Sequence, residues 1–299
     1  MVHLRVQKNA LAAKTKFDEF YTRAITVRGE LRYYRKHYRG SAVYMNADSP
    51  ESEFVKYFDR GFEAFGLSSM HATGYGERGS YLTRRLPGQD MEVLSHPGDF
   101  RSPACRRILE ECDVVVTNPP FSILREYFDL VYRSGKKFLI FIPLHAFGYM
   151  DIFDKLKKGK AWPGITHNCH TGGTTLFRIP EDTPESVLGN NDYRIGGKRY
   201  ALLGGSWITN MTRKAPPERE YKEPNALYSP KMHPRYDNYD AIEVSSFKNW
   251  PKNYSGIMGV PLSFFTYCEV DKYELLDCGT TLYVKGRAKF RRVLIRLKE

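Results

Sequence analysis

Asp113-Val114-Val115-Val116-Thr117-Asn118-Pro119-Pro120-Phe121 is the stretch that decides the fold. A short apolar run with three consecutive valines reads as an interior strand of an α/β sheet, covered on both faces. Pro119 and Pro120 then stop the strand at its carboxyl end, the edge where open α/β folds bind ligands. That corner has a specific chemistry. An exocyclic amine conjugated to an aromatic ring is a poor nucleophile, because its lone pair is delocalised. The Asn118 side-chain oxygen and the Pro119 carbonyl can each accept one amine hydrogen, which favours the pyramidal, nucleophilic amine. The Phe121 ring can stack on the base that carries the amine. No general base is needed before attack, so an uncharged Asn suffices. Taken alone, the tetrapeptide reads equally well as a proline-bounded strand end with a buried Phe.

The flanking sequence repeats the strand–loop–helix pattern. Phe17, Phe20, Tyr21, Ala24 and Ile25 recur at helical spacing and predict a helix ending near Gly40. Ala42 to Met45 is a short strand, followed by the turn Asn46-Ala47-Asp48-Ser49-Pro50. Asp48 or Ser49 is expected to cap the next helix, whose apolar face is Phe54, Phe58, Phe62 and Phe65 and whose end is Gly66. Met70 to Thr73 predicts a second strand, with a Gly-rich loop after it. A short helix runs through Ile108 and Leu109 before the valine strand. Ile123, Leu124, Tyr127, Phe128 and Val131 form a further helical face, and Phe138 to Ile142 another buried strand. This alternation predicts a parallel, doubly wound sheet.

Past Trp162 the character changes. Thr174 to Ile179, Arg199 to Leu203, Ser206 to Thr209, Leu262 to Thr266 and Val293 to Leu297 read as strands, and Lys214 to Pro234 as a loop or linker. A soft boundary near residue 213 separates a domain 1–212 from a region 213–299.

Composition bounds the function. The chain has 299 residues, 41% hydrophobic and 27% charged, ordinary for a globular protein with a sizeable core. Its formal charge of +12 is not ordinary, and points to a polyanionic partner, nucleic acid ahead of a membrane surface. Five cysteines without a Cys-x-x-Cys pair argue against a disulfide framework or zinc ribbon. His167, Cys169 and His170 lack a fourth ligand at a metal-site spacing, so no metal is expected. No apolar stretch reaches bilayer length, and Met1 to Lys16 lacks the apolar segment of a signal peptide. A cytoplasmic, reduced protein is expected.

Several segments, taken in order, resemble the adenine-specific DNA methyltransferases that use S-adenosylmethionine, and among them the EcoRI-type family. They are Lys16 to Thr22, Gly98-Asp99-Phe100-Arg101-Ser102, Val115 to Ser122, Arg125-Glu126-Tyr127, Lys136 to Ile140, Tyr236 to Ile242 and Met258-Gly259-Val260-Pro261. The resemblance runs from about residue 16 to near the C-terminus. It implies a Rossmann-like S-adenosylmethionine-dependent methyltransferase sheet with a C-terminal recognition region that contacts double-stranded DNA. Asn118, Pro119, Pro120 and Phe121 then match the catalytic motif that holds the target adenine. Tyr21 and Thr22 match the segment at the methionine end of the cofactor. Asp48 stands in the first strand–loop position, and Asp99 with Phe100 matches the residue that accepts a hydrogen bond from the cofactor adenine. The usual Gly-rich first loop is absent here, and no acid clearly ends the second strand to grip the cofactor ribose, where Tyr75 and Glu77 stand. The implied activity is N6-adenine methylation of DNA. Its rivals are an RNA N6-adenine methyltransferase, a protein glutamine methyltransferase, disfavoured by Phe121 and the charge, and a non-catalytic DNA-binding module. Whether a restriction endonuclease accompanies the chain is not legible in it.

Three further features carry weaker expectations. Gly74-Tyr75-Gly76-Glu77-Arg78-Gly79 spells a dinucleotide fingerprint but lacks the helix that gives it meaning, and reads as a flexible loop. His145, Asp237 and Asp240 read as loop residues outside the chemistry, and Glu126 and Asp129 as the solvent side of a helix. Lys285, Arg287, Lys289 and Arg291 alternate, which reads equally as a solvated charge run or as one basic face of an extended strand that, with the basic N-terminal arm, tracks DNA phosphates.

Overall fold

The computed structural model describes residues 21–76, 79–166, 174–184, 191–212 and 221–298. These group into two units, the first holding 21–142, 164–166 and 174–212, the second 143–163 and 221–298. Residues 143–163, inside the expected 1–212 domain, group with the C-terminal residues.

In chain order the first eleven strands are β1 (Tyr21–Thr22), β2 (Ala42–Asn46), β3 (Ser69–Gly76), β4 (Gly79–Arg85), β5 (Glu92–Ser95), β6 (Val114–Thr117), β7 (Lys137–Pro143), β8 (Trp162–Pro163), β9 (Thr174–Arg178), β10 (Asp192–Ile195) and β11 (Lys198–Thr209). The sheet of the first unit runs β1-β9-β11-β7-β6-β2-β3-β4-β5, with β10 on β11. Its centre is parallel: Val43 pairs with Met70 on one side and Val114 on the other, and Val116 pairs with Leu139. The valine strand β6 is buried at every position, as its composition predicts. The chain builds β2 and β3, then crosses to the other side of β2 for β6 and continues outward to β7. Strand order therefore reverses between β2 and β6, which opens a crevice beyond their carboxyl ends.

Antiparallel strands extend both flanks, and here the sequence reading needs correction. Tyr21 and Thr22 do not open a helix; they form β1 on β9, with Tyr21 opposite Arg178. The Gly-rich stretch is not a loop: β3 continues through Gly76 and pairs with β4 in an antiparallel hairpin, and β5 adds to β4. Glu77 and Arg78 lie outside the described residues. Arg199–Thr209 is one strand rather than two. Gly205 makes this possible, because a Cβ there would sit 2.4 Å from the Phe141 ring.

Five helices stand between these strands: α1 (Ala24–Leu31), α2 (Glu53–Phe65), α3 (Pro103–Glu111), α4 (Leu124–Arg133) and α5 (Met150–Lys157). The cap of α2 is Ser52, whose hydroxyl accepts the Val55 N–H at 3.1 Å, and not Asp48 or Ser49. This leaves the Asp48 carboxyl for other partners. The α2 stripe of Phe54, Phe58 and Phe62 is buried against the sheet, each ring contributing on the order of 2–3 kcal/mol. In α4, Leu124, Tyr127, Phe128 and Val131 are buried as the spacing predicts, and Glu126 and Asp129 face solvent.

The second unit adds β12 (Ile242–Glu243), β13 (Met258–Pro261), α6 (Phe264–Tyr267), β14 (Tyr273–Asp277), β15 (Tyr283–Val284), β16 (Arg287–Ala288) and β17 (Arg292–Leu297). A sheet in the order β12-β13-β17-β14 is accompanied by the separate pair β15-β16. Leu262–Thr266 is not a strand. All four residues of α6 are buried, and the Tyr267 and Cys268 N–H groups turn back to Ser263 and Phe264. The basic C-terminal run is not one extended strand either. Lys285 and Gly286 form the turn of the β15-β16 hairpin, and Arg292 starts β17 in an ion pair of 2.7 Å with Glu243, itself 3% exposed. No helix among the described residues is long and apolar enough to cross a membrane.

One close approach fixes the loop before α3. A Cβ on Gly98 would lie 2.2 Å from the Gly74 carbonyl oxygen of β3. Gly98→Ala should lower the unfolding free energy by about 1–3 kcal/mol, the usual cost of overpacking. Urea denaturation checks this, and an unchanged midpoint would detach the loop from β3.

Candidate active site

The crevice is lined by the ends of β2 and β6 and by the loop entering α3. Asn118 follows β6 directly, with Pro119 buried behind it. Its Nδ2 donates to the Thr22 hydroxyl at 3.1 Å, across 96 residues of chain. This contact fixes which edge of the Asn118 amide donates, and so which way its Oδ1 points. Two residues that the sequence placed in separate roles thus stand side by side. Phe121 is partly buried, packs against the main core cluster, and opens a 3-10 turn through Ile123.

On the β2 side, Ala47 has φ of 99°, a left-handed conformation that favours glycine. The expected Gly-rich first loop is absent, and Ala47 takes this backbone position instead. The turn is held because the Ala47 and Asp48 N–H groups both donate to the Thr73 carbonyl, at 2.7 and 3.3 Å. Below it, Thr73 Oγ1 stands 2.6 Å from the Tyr44 hydroxyl and 3.0 Å from Asn46 Oδ1, all three buried.

Asp48 is 5% exposed. The Thr117 hydroxyl, last in β6, donates to its Oδ2 at 2.6 Å and lies 3.0 Å from the Asn46 carbonyl. Burial raises the Asp48 pKa to about 7, with the Thr117 and Ser52 hydroxyls opposing. A buried carboxyl so poised ionises when a cationic group arrives beside it. Tyr127 contributes a second feature. Its hydroxyl is buried with no hydrogen-bond partner among the described residues, and the nearby Asp48 adds to the burial that raises its pKa. Phe100 is also buried and meets Tyr127 edge-to-face at 5.4 Å.

Asp99 sits at the rim rather than in the crevice. Its Oδ1 accepts the Arg101 N–H at 2.8 Å, and Oδ2 lies 3.3 Å from the Arg101 guanidinium. Arg101 makes a bidentate pair with Glu126, at 2.7 and 2.8 Å, and covers the Phe100 ring at 4.6 Å. Glu126 is therefore a tether between the loop and α4 as well as a solvent-facing residue. The sequence gave no prominence to Thr117 or Tyr127. A hydroxyl in place of a fourth valine, at the carboxyl end of the strand, was the signal for Thr117; Tyr127 was hidden in an ordinary apolar stripe.

Glu77, His167, Cys169 and His170 lie outside the described residues, as does the Tyr75 side chain. Among the described residues no group of three His, Cys, Asp or Glu side chains is placed to hold a metal ion. His145 lies in a 3-10 turn, 3.0 Å from the Tyr149 hydroxyl, and burial lowers its pKa.

A sheet with this strand reversal, and an Asn-Pro-Pro-Phe corner at it, defines the class of amino-methyltransferases. The family model described as adenine-specific methyltransferase EcoRI matches residues 8–96 and 86–298. The chain belongs to this family. It is 34% identical to the type II methyltransferase M.EcoRI of Escherichia coli, over 96% of this chain and 95% of that one. It is 30% identical to the type II methyltransferase M.MpnI of Mycoplasma pneumoniae, over 96% and 97% of the two chains. M.MgeORF184P of Mycoplasma genitalium is also 30% identical, over 91% and 86%. No solved structure matches.

The Asp48 shift sets a sign for stability. The folded carboxyl holds its proton to about pH 7, the unfolded one only to about 3.8. Between those values the native state binds more protons, so stability falls as pH rises, by up to about 1.4 kcal/mol per pH unit. Asp48→Asn removes this dependence. The variant should gain on the wild type between pH 5 and 7 in urea unfolding without ligand; parallel curves would refute the buried, protonated Asp48.

Proposed function

We propose that this protein transfers a methyl group from S-adenosylmethionine to the N6 amine of an adenine rotated out of duplex DNA. The observation that carries the reading is Asn118, fixed by Thr22 at the end of β6 where strand order reverses. Membership of an adenine-specific family, relatives named type II methyltransferases and a charge of +12 support the same reading.

The residues of the crevice suit the cofactor. Asp48 would face its cationic or hydroxyl-bearing groups, Thr22 and Tyr21 the methionine end, and Phe100, with Tyr127 behind it, the adenine, with Asp99 at the rim. When bound, S-adenosylmethionine supplies a methyl group already activated by the positive sulfonium. The protein therefore supplies position and partial charges rather than a nucleophile. Asn118 Oδ1 and the Pro119 carbonyl accept the two amine hydrogens and direct the lone pair toward the methyl. Phe121 stacks on the adenine and offsets part of the few kcal/mol that extrusion costs. One of the amine protons passes to solvent as the C–N bond forms. The C-terminal residues serve target recognition in this reading.

Base-resolution sequencing of duplex DNA treated with the purified protein and S-adenosylmethionine tests it, expecting N6-methyladenine at a fixed site. Methylation of structured RNA in preference to duplex DNA would sink it. Asn118→Ala should lower kcat by about 10²–10³-fold or more, as for loss of one preorganised polar group. Cofactor affinity by calorimetry should hold within about twofold, since the lost contacts are to the target amine. Near-wild-type turnover would remove Asn118 from the chemistry.

A further inference from the structure

The segment Tyr236-Asp237-Asn238 takes no part in the catalytic corner, and its side chains have another task. Asp237 Oδ1 and Oδ2 accept the backbone N–H groups of Lys285 and Gly286, at 3.1 and 2.7 Å. Asn238 Oδ1 accepts the Tyr283 N–H at 3.1 Å, and its Nδ2 donates to the Thr281 carbonyl at 2.8 Å. Beneath them, Tyr236, Leu282, Val284 and Leu294 share a small buried cluster. The β15-β16 hairpin is thus clamped by side chains from a distant segment.

Its turn is built at some cost. Lys285 and Gly286 both have positive φ, 51° and 72°, as the tight hairpin turn requires. Asn or Gly takes such a position with less strain than Lys. A lysine there keeps an ammonium group at the tip. Lys285 and Arg287 are exposed and Lys289 half-buried, and among the described residues none of the three pairs with a carboxylate. Arg292 and Arg296, further along, are taken by Glu243 and Glu274.

Beside these cations stands Phe290, 90% exposed. Its exposure is not slack in the backbone. The Lys289 N–H donates to the Leu282 carbonyl at 2.8 Å, and Arg292 Nη1 donates to the Phe290 carbonyl at 3.2 Å. Arg291, the next residue, donates to the Gly148 carbonyl. A single exposed apolar side chain is common on protein surfaces. A rigidly held phenylalanine among three unpaired cations is a different case. Cations that neutralise phosphates, flanking an apolar wedge that unstacks a base step, are the means by which proteins deform duplex DNA.

We propose that the hairpin 283–290 is a DNA-contacting element: Lys285, Arg287 and Lys289 engage phosphates, and Phe290 inserts at a base step of the duplex. The proposal rests on the reading that the chain acts on DNA. Charge complementarity selects the partner, and the clamp explains why the hairpin is preorganised for it.

The test measures duplex binding by anisotropy over a range of salt, with the full chain. Lys285→Asn relieves the strained turn while removing the charge, so it should keep or raise thermal stability. It should also lower the slope of log affinity against log salt by about 0.9. Adding Arg287→Gln and Lys289→Gln should bring the total to about 2–3. Phe290→Ala should leave the slope unchanged and weaken binding at fixed salt by roughly five- to a hundred-fold, the range for losing one base–aromatic contact. An unaltered slope in the triple variant, wild-type affinity in Phe290→Ala, or equal losses on single-stranded RNA would each overturn the proposal. Sequencing of the wild-type product keeps the two readings apart. Methylated adenine with unaffected variants removes the hairpin alone, and unmodified DNA with weakened variants removes the proposed chemistry alone.

Discussion

The hydrogen bond from Thr117 to Asp48 spans the place where strand order reverses, and the Asn118 corner depends on it. β2 and β6 are neighbours in the sheet but lie far apart in the chain, and the crevice exists because their carboxyl ends diverge. A diverging pair needs a tie. Thr117 supplies it from the last position of β6, to a carboxyl that burial keeps near the edge of ionisation. The next residue is Asn118. Whatever holds Thr117 therefore also sets the height and direction of the Asn118 amide.

Around this tie the site is built by close approach rather than by loop chemistry. Glycines and hydroxyls replace bulk where backbones meet: Gly98 against Gly74 of β3, and Thr73 with Tyr44 and Asn46 below. The first turn dispenses with a glycine altogether and places Ala47 in a left-handed conformation, held by two N–H groups on one carbonyl. Strain of this kind, of order 1–3 kcal/mol, persists only where the surroundings over-determine it.

The second unit solves a different physical problem with the same devices. A short two-stranded hairpin is marginal by itself. Here Asp237 and Asn238 satisfy its turn and edge, and a small cluster buries its inner face. The Asp237 carboxylate, which the sequence already placed outside the chemistry, accepts two backbone N–H groups. The same region hides cations in ion pairs where they begin and line a strand, at Arg292 and Arg296, and leaves them unpaired at the hairpin.

The sequence by itself determined the valine strand, its proline stop, the four-phenylalanine stripe of α2 and the apolar face of α4, because these rest on local periodicity that needs no partner to be read. It also showed the Asn-Pro-Pro-Phe run that follows the valine strand. Only the tertiary structure decided the rest. Tyr21 and Thr22 carry helical spacing, yet pairing with β9 outweighs that weak local preference. The Gly-rich stretch becomes a hairpin because β2 offers β3 an edge, a fact absent from any window of sequence. The helix cap moved from Asp48 to Ser52 because Asp48 was claimed by Thr117 across the sheet. The alternating basic run broke at Lys285 and Gly286 because Asp237, 48 residues earlier, binds their N–H groups. In each case the deciding partner lies far along the chain, and local pattern carries no information about distant partners.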